Sequence, residues 1–252
     1  LAVGEATLDA TARGSMEDFS LGSRSRVSAL LLDDVRVRGL EVEGDLHWLR
    51  GGGIQSASAV LTADRIGLPL APVQRLDLAL ELEDEDELSV EASAVVDDLR
   101  EARLSARVEE MTKPSAVRVE AFEFRADEDL WRLAHPTRFD LRDGVQIDSA
   151  RVSAHDQEIR ARGRLAAQGP LDLRVGVKGF ELATVADLLG YPALTGQLTG
   201  SLGFTGTGSN PGAVVELNGY LEPPSAPPGK VTFRGELVEG VLEFDGGIEL
   251  EN

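Results

Sequence analysis

Apolar and polar residues alternate with a period of two along most of this chain, and that pattern limits the fold more than any other feature. Such alternation is typical of β-strands that bury one face and expose the other. It is clearest at residues 171–178, where apolar side chains occupy the odd positions. The same pattern recurs at residues 76–82, 88–94, 159–165, 213–217 and 231–233. The sequence therefore predicts an all-β chain.

Turn-forming residues separate these runs and predict short connections between strands. Glycine, proline, asparagine and acidic residues cluster at 51–53, 83–87, 169–170 and 210–212. Repeated strands joined by short turns favour an antiparallel meander. A slip in the alternation at Gly39 predicts a β-bulge. Residues 127–134 and 182–189 predict two short helices that cap the sheet.

No shift in composition marks a domain boundary, so we expect residues 1–252 to form a single elongated segment. The proline-rich residues 223–229 predict a long loop between two strands. Strand-like sequence at both ends and the absence of an initiator methionine predict a piece of a longer protein. We expect any membrane anchor to lie outside this segment, because no window approaches the roughly 20 apolar residues of a membrane helix.

The amino-acid composition excludes several classes of binding partner and of reactive site. The chain has 44 acidic and 25 basic residues, which give a net charge of −19. That charge repels nucleic-acid phosphates within a Debye length of roughly 8 to 10 Å, so we expect no nucleic-acid partner. The chain contains no cysteine, which excludes disulfides, thiolate metal sites and thiol nucleophiles.

The residues that most often carry chemistry do not combine into a site. His47, His135 and His155 lie far apart and lack the spacing of metal ligands. The acidic residues 81–87 lack the order of a calcium loop and fit a solvated hairpin tip better. The glycine-rich run around Ser201 lacks the lysine and the following helix of a phosphate-binding loop. We therefore expect no catalytic residues, no metal and no cofactor.

The apolar face of the alternating runs is the remaining candidate for function. Its residues are mostly valine, leucine, alanine and glycine, and the scarcity of rings leaves room beside the sheet for acyl chains. Alternating apolar positions also form the filled cores of sandwiches and barrels, so a filled core is the alternative. The predicted lining residues of a lipid groove are Leu171, Leu173, Val175, Val177, Leu198, Leu202, Phe204, Val215, Leu217, Val231 and Phe233.

Residues 130–221 resemble the repeating body of the TamB and AsmA-like group of envelope proteins. The resemblance rests on an ordered series of motifs: residues 131–136 and 139–145, the strands at 159–165 and 171–177, residues 179–185, the LxGxL motif at 194–198, and residues 203–208 before Pro211. About a third of the chain carries this series. Residues 1–125 match only in their alternation and their use of glycine.

The resemblance implies a fold and a function. Proteins of this group are anchored in the inner membrane and cross the periplasm as an elongated, curled antiparallel sheet with an open hydrophobic groove. The groove is expected to carry phospholipid between the inner and outer membranes. A role in outer-membrane biogenesis is expected through a barrel-assembly protein contacted outside this segment. We therefore expect a non-enzymatic lipid-transport segment of the cell envelope.

Two alternatives stay open from the sequence. A structural β-solenoid or adhesin stalk with a filled core would show the same alternation of apolar and polar residues. A lyase or hydrolase built on a β-helix is more remote, because it would need acids and bases that converge in a cleft.

Overall fold

A computed structural model describes residues 2–32, 35–50, 53–67, 72–84, 86–110, 115–166, 169–183, 195–207, 210–223, 227–238 and 241–250. Within these ranges the chain is built of antiparallel β-strands and turns, which confirms the predicted all-β class. In the same part of the chain no helix is long and apolar enough to cross a membrane.

The chain divides into two compact units, Leu1–Arg125 and Ala126–Asn252. The composition does not mark this boundary, and the expectation of a single elongated segment stays a prediction. In the second unit, the strands on either side of the predicted loop at 223–229 end at Glu222 and begin at Gly229. Residues 224–226 lie outside the described residues, and the predicted loop stays a prediction.

The first unit is a meander in which most strands pair with their neighbours in sequence. Its strands are β1 (Ala2–Val3), β2 (Ala6–Gly14), β3 (Asp18–Leu32), β4 (Val35–Leu49), β5 (Gly53–Ala63), β6 (Arg65–Gly67), β7 (Arg75–Asp84), β8 (Glu87–Val95), β9 (Arg100–Glu109) and β10 (Ala116–Ala126). Strands β2, β3, β4, β5, β7, β8 and β9 pair in that order. The short strands β1 and β6 pair with β3 and β4.

The second unit repeats this organisation. Its strands are β11 (Asp129–Leu133), β12 (Thr137–Asp140), β13 (Val145–Ala154), β14 (Gln157–Leu165), β15 (Pro170–Glu181), β16 (Thr195–Thr207), β17 (Asn210–Glu222), β18 (Gly229–Val238) and β19 (Val241–Leu250). Strands β11 and β12 both pair with β13, and each later strand pairs with the next one up to β19. Sequential antiparallel pairing confirms the predicted meander.

The predicted helix at residues 127–134 is wrong. A turn at residues 127–128 leads into β11, where Trp131 is buried and Arg132 is exposed. Strand β11 pairs with β13, with Arg132 facing Ser153. The ladder bonds and the burial of Trp131 outweigh the weak helical propensity of so short a segment. Of the second predicted helix, residues 184–189 lie outside the described residues.

The predicted β-bulge at Gly39 is also wrong. Strand β4 keeps one register with β3 on both sides of this glycine, because Leu40 faces Val27 and Arg38 faces Ala29. Gly39 instead has a φ of +60°, in the left-handed region that favours glycine. The slip in the sequence pattern therefore reflects a local change of backbone conformation without an inserted residue.

The predicted acidic hairpin tip is confirmed. Strands β7 and β8 form a hairpin in which Asp84 faces Glu87, so the described residues of the acidic run lie at its end. Glu81 and Asp86 are exposed to solvent. These two charges therefore lie where water can solvate them.

Few side chains are deeply buried in either unit. Among the described residues no large side chain is fully buried, and the buried apolar residues are mostly alanines: Ala63, Leu82, Ala106, Ala116, Ala126, Trp131, Ala154, Ala166 and Leu171. A densely filled core would bury many leucine and valine side chains completely. The sheets are therefore stabilised by their hydrogen-bond ladders and by apolar faces that are covered only in part.

Candidate functional site

The eleven predicted groove residues all lie on one face of the sheet in the second unit. Directly opposed residues of antiparallel strands point to the same face. Leu173 faces Phe204, and Val175 faces Leu202, which in turn faces Val215. The period of two and the ladder register place the other predicted residues on this face: Leu171, Val177, Leu198, Leu217, Val231 and Phe233. We call this surface the apolar face.

The apolar face extends beyond the predicted residues on both sides. On β14, Ile159 faces Val177, and on β19, Ile248 faces Val231. The further members are Ile159, Ala161, Ala213, Phe244 and Ile248. These residues belong to alternating runs, and that alternation is the only sign of them in the sequence. The sequence does not show which strands pair with β15 and β18, so it does not predict that these residues share the apolar face.

The apolar face is covered only in part. Leu171 is 8% exposed, Phe233 is 38% exposed and Phe244 is 72% exposed. The other predicted lining residues are half-buried. In a filled sandwich core, inward side chains from two layers interdigitate and would be almost completely buried. The second unit therefore presents a half-open apolar surface whose exposure rises towards β19.

Glycines on the apolar face let large side chains lie along the sheet. Gly200 lies opposite Leu217, and Gly219 lies opposite Leu198. A Cβ atom added to Gly200 would be 2.8 Å from Leu217 Cδ2, and one added to Gly219 would be 2.4 Å from Leu198 Cδ2. The leucine side chains therefore occupy the space above the glycines. The leucine side chains lie flat against the sheet, so the apolar face is smooth and continuous. Such a surface can make many van der Waals contacts with a long flexible apolar chain.

Two aromatic rings pack where β11 and β15 contribute to the apolar face. The ring centroids of Trp131 and Phe180 are 5.6 Å apart. Trp131 is only 3% exposed, and its Nε1 has no hydrogen-bond partner among the described residues. Burial of a large ring at this position contrasts with the open surface near β19. The apolar face is therefore closed most tightly around Trp131.

The opposite face of the same sheet is polar and carries ion pairs. Glu158 lies between Arg160 and Arg151 and contacts both guanidinium groups. The hydrogen bond from Arg160 and the positive charge of Arg151 lower the pKa of the Glu158 carboxyl. At the edge of this face, the hydrogen bond from Arg142 lowers the pKa of Asp140 to about 2. The two faces of the sheet therefore differ sharply in chemistry.

The histidines and Ser201 do not form a site with one another. His47 Nε2 lies 2.9 Å from Asp18 Oδ1 in the first unit, whereas His155 Nδ1 lies 3.0 Å from Asp129 Oδ1 in the second. The ring of His135 contacts the carbonyl of the next residue. In the part of the chain that the structure describes, no three metal-ligating side chains come together.

Comparison with known proteins adds no relative. The chain matches no family model, no curated protein and no solved structure. The geometry of the two faces and the resemblance in the sequence are therefore the only indications of function.

Proposed function

We propose that this chain is a segment of a periplasmic, bridge-like lipid-transfer protein whose apolar face holds phospholipid acyl chains between the inner and outer membranes. The observation that carries the proposal is the half-open apolar face across β14–β19. The resemblance of residues 130–221 to the TamB and AsmA-like group favours the same function. In this proposal the chain is not an enzyme and needs no cofactor.

Burial of methylene groups supplies enough free energy for such binding. Each CH₂ group removed from water contributes about 0.8 kcal/mol, so roughly eight methylenes contribute about 6 kcal/mol. The side chains of the face are chemically uniform, mainly leucine and valine. No single position then holds the acyl chain much more tightly than the next, and the chain can move along the face.

The partial exposure of the face argues against a filled-core stalk. A filled core requires a second layer of side chains over the apolar face. Phe233 and Phe244 keep large exposed fractions, and the leucines near them are only half-buried. Exposed apolar area of this kind is typical of a surface that binds a ligand or a partner.

The other parts of the proposal concern the longer protein. A membrane anchor and the contact with an outer-membrane barrel-assembly protein are assigned to regions outside this segment. The net charge of −19 argues against binding to nucleic acid. Phospholipid is therefore the proposed partner of the segment itself.

A charge placed on the apolar face tests this function. We expect Val175→Asp to remove bound phospholipid while the fold persists, because a carboxylate on a half-open face keeps part of its hydration. The matched control is Thr232→Asp, which places the same charge at an exposed position on the polar face. The measurement is the amount of phospholipid that co-purifies with each variant, determined by mass spectrometry, together with a thermal melt.

The result separates the groove from the filled core. A folded Val175→Asp variant without lipid, beside a Thr232→Asp variant that keeps it, is the expected outcome. A filled core would instead make Val175→Asp unfold, since an unpaired buried charge costs several kcal/mol of a total stability of about 5 to 15 kcal/mol. A folded variant that keeps its full lipid content contradicts the assignment of the face.

A further inference from the structure

Three arginines surround a glycine on a pair of antiparallel strands in the first unit. Across the β4–β6 ladder, Arg38 faces Arg65, and Arg36 faces Gly67. All three arginine side chains are exposed. They line a depression of about 290 Å³ together with Gly67. We call this group the first arginine cup.

The second unit repeats the arrangement in the same register. Across the β14–β15 ladder, Arg162 faces Arg174, and Arg160 faces Gly176. These residues line a depression of about 460 Å³, to which Ser149, Ser201 and the intervening strand residues Ala161 and Val175 also contribute. We call this group the second arginine cup. In both cups a strand with the pattern Arg-x-Arg pairs with a strand with the pattern Arg-x-Gly.

The cups concentrate positive charge in a strongly acidic chain. Neither depression has a carboxylate among its described lining residues, although the chain carries 44 acidic side chains. Like charges that face each other directly across a ladder are destabilising. Each cup holds one such pair of arginines, so an anion bound between them would relieve the repulsion.

Several of these arginines have no acidic partner within the described residues. Arg36, Arg38, Arg65 and Arg162 take part in none of the ion pairs found there. In the second cup Arg160 pairs with Glu158, and Arg174 Nε lies 3.6 Å from Asp172 Oδ1. The three arginines of the first cup and Arg162 of the second cup therefore keep donors that no acidic side chain of the described residues occupies.

The glycine of each cup provides the room for that ligand. A Cβ atom added to Gly176 would meet no atom within 4 Å, and one added to Gly67 would lie 3.6 Å from the nearest atom, Arg36 Cβ. Neither glycine has a positive φ. The backbone conformation therefore does not require glycine at these positions. The absence of a side chain instead leaves open space between the arginines, which a ligand can occupy.

We propose that each arginine cup binds a phosphate group. Guanidinium groups present paired N–H donors that match phosphate oxygens, and the three of the first cup carry enough positive charge to neutralise a dianion. In the second cup the hydroxyls of Ser149 and Ser201 supply further hydrogen bonds to the oxygens. The arginines of the second cup lie on the face opposite the apolar face, so this inference does not depend on the proposed lipid function.

Calorimetric titration at low ionic strength tests the proposal, with inorganic phosphate and glycerol 3-phosphate as ligands. We expect saturable binding with two sites per chain. Arg38→Gln and Arg162→Gln should each weaken binding at one of the two sites about tenfold or more, which is the range for loss of a charge-assisted hydrogen bond, and the double variant should weaken binding at both sites. Arg234→Gln, at an arginine outside both cups, is the control and should keep two sites.

Replacing the glycine of each cup by valine tests the proposal without removing a charge. We expect Gly67→Val and Gly176→Val each to abolish one site without lowering the melting temperature, because valine favours strands and meets no close backbone atom there. The matched control is Gly247→Val in β19, where the nearest atom to an added Cβ is Thr232 Oγ1 at 3.7 Å. This variant should keep both sites.

Vesicles that contain phosphatidylglycerol distinguish the source of the phosphate. Binding of the soluble phosphates that is lost in the Arg38→Gln/Arg162→Gln variant supports a small phosphorylated ligand. Binding to the vesicles alone, lost in the same variant, supports a lipid headgroup as the source. No saturable binding to either, or binding that the double variant retains at unchanged affinity, overturns the proposal.

Discussion

At the residue scale, an arginine two positions away along the chain can lower the pKa of a carboxyl group. Asp140 illustrates this at the end of β12. Its Oδ1 accepts hydrogen bonds from Arg142 Nε at 3.1 Å and from the Arg142 backbone N–H at 3.0 Å. These bonds favour the charged carboxylate and lower its pKa from 3.8 to about 2.

This pair gives a prediction for acid conditions. Because the pKa of Asp140 is lower in the folded chain, its contribution to stability is present above pH 3.8 and is lost as the pH falls towards about 2. We expect Arg142→Gln to raise the pKa of Asp140 towards 3.8, measured by NMR titration of the carboxyl carbon. A pKa that stays near 2 in the variant would contradict the assigned cause.

At the scale of the strand pair, two glycines in the β14–β15 ladder have opposite roles. Gly163 has a φ of +118°, and an added Cβ would lie 1.7 Å from the carbonyl oxygen of Asp172. Gly176 has no positive φ and has open space around it. Gly163 is therefore required by the backbone, whereas Gly176 is not.

This contrast predicts opposite effects of the same substitution. We expect Gly163→Ala to cost about 2 kcal/mol or more, because it adds left-handed strain and a collision with the facing strand. Gly176→Ala should be neutral or stabilise the protein by about 0.5 to 1 kcal/mol, since it reduces the freedom of the unfolded chain. Urea unfolding of the two variants measures both effects. Equal losses of stability would show that the ladder register is wrong.

The strand pairs also show what the sequence can predict. The period of two in 171–178 identified β15 and the face of its apolar residues up to Val177, because a strand fixes that alternation locally. Residues 129–133 are too few to separate a period of two from a period of 3.6, and the predicted helix there was wrong. Register was not predictable either. Arg38 and Arg65 lie 27 positions apart in the chain, and only the pairing of β4 with β6 brings them together.

At the scale of the whole molecule, a large negative charge accompanies half-open apolar faces. Mutual repulsion at a net charge of −19 opposes the association of these faces in different copies of the chain. The repulsion disappears near the isoelectric point of about 4.5. We therefore expect self-association to rise as the pH falls from 7 towards 4.5, measured by sedimentation velocity. Added phospholipid should reduce it by covering the apolar faces, and association that ignores both pH and lipid would contradict this account.

The most direct test of the central claim is photocrosslinking from the two faces of β18. Phe233 belongs to the apolar face, and its neighbour Thr232 is exposed on the polar face. Each is replaced in turn by p-benzoylphenylalanine in chain produced in the periplasm of a Gram-negative bacterium, and adducts are identified by mass spectrometry after irradiation. We predict phospholipid adducts at position 233 and none at position 232. Equal labelling at both positions, or no lipid adduct at position 233, would contradict the claim that this face holds acyl chains.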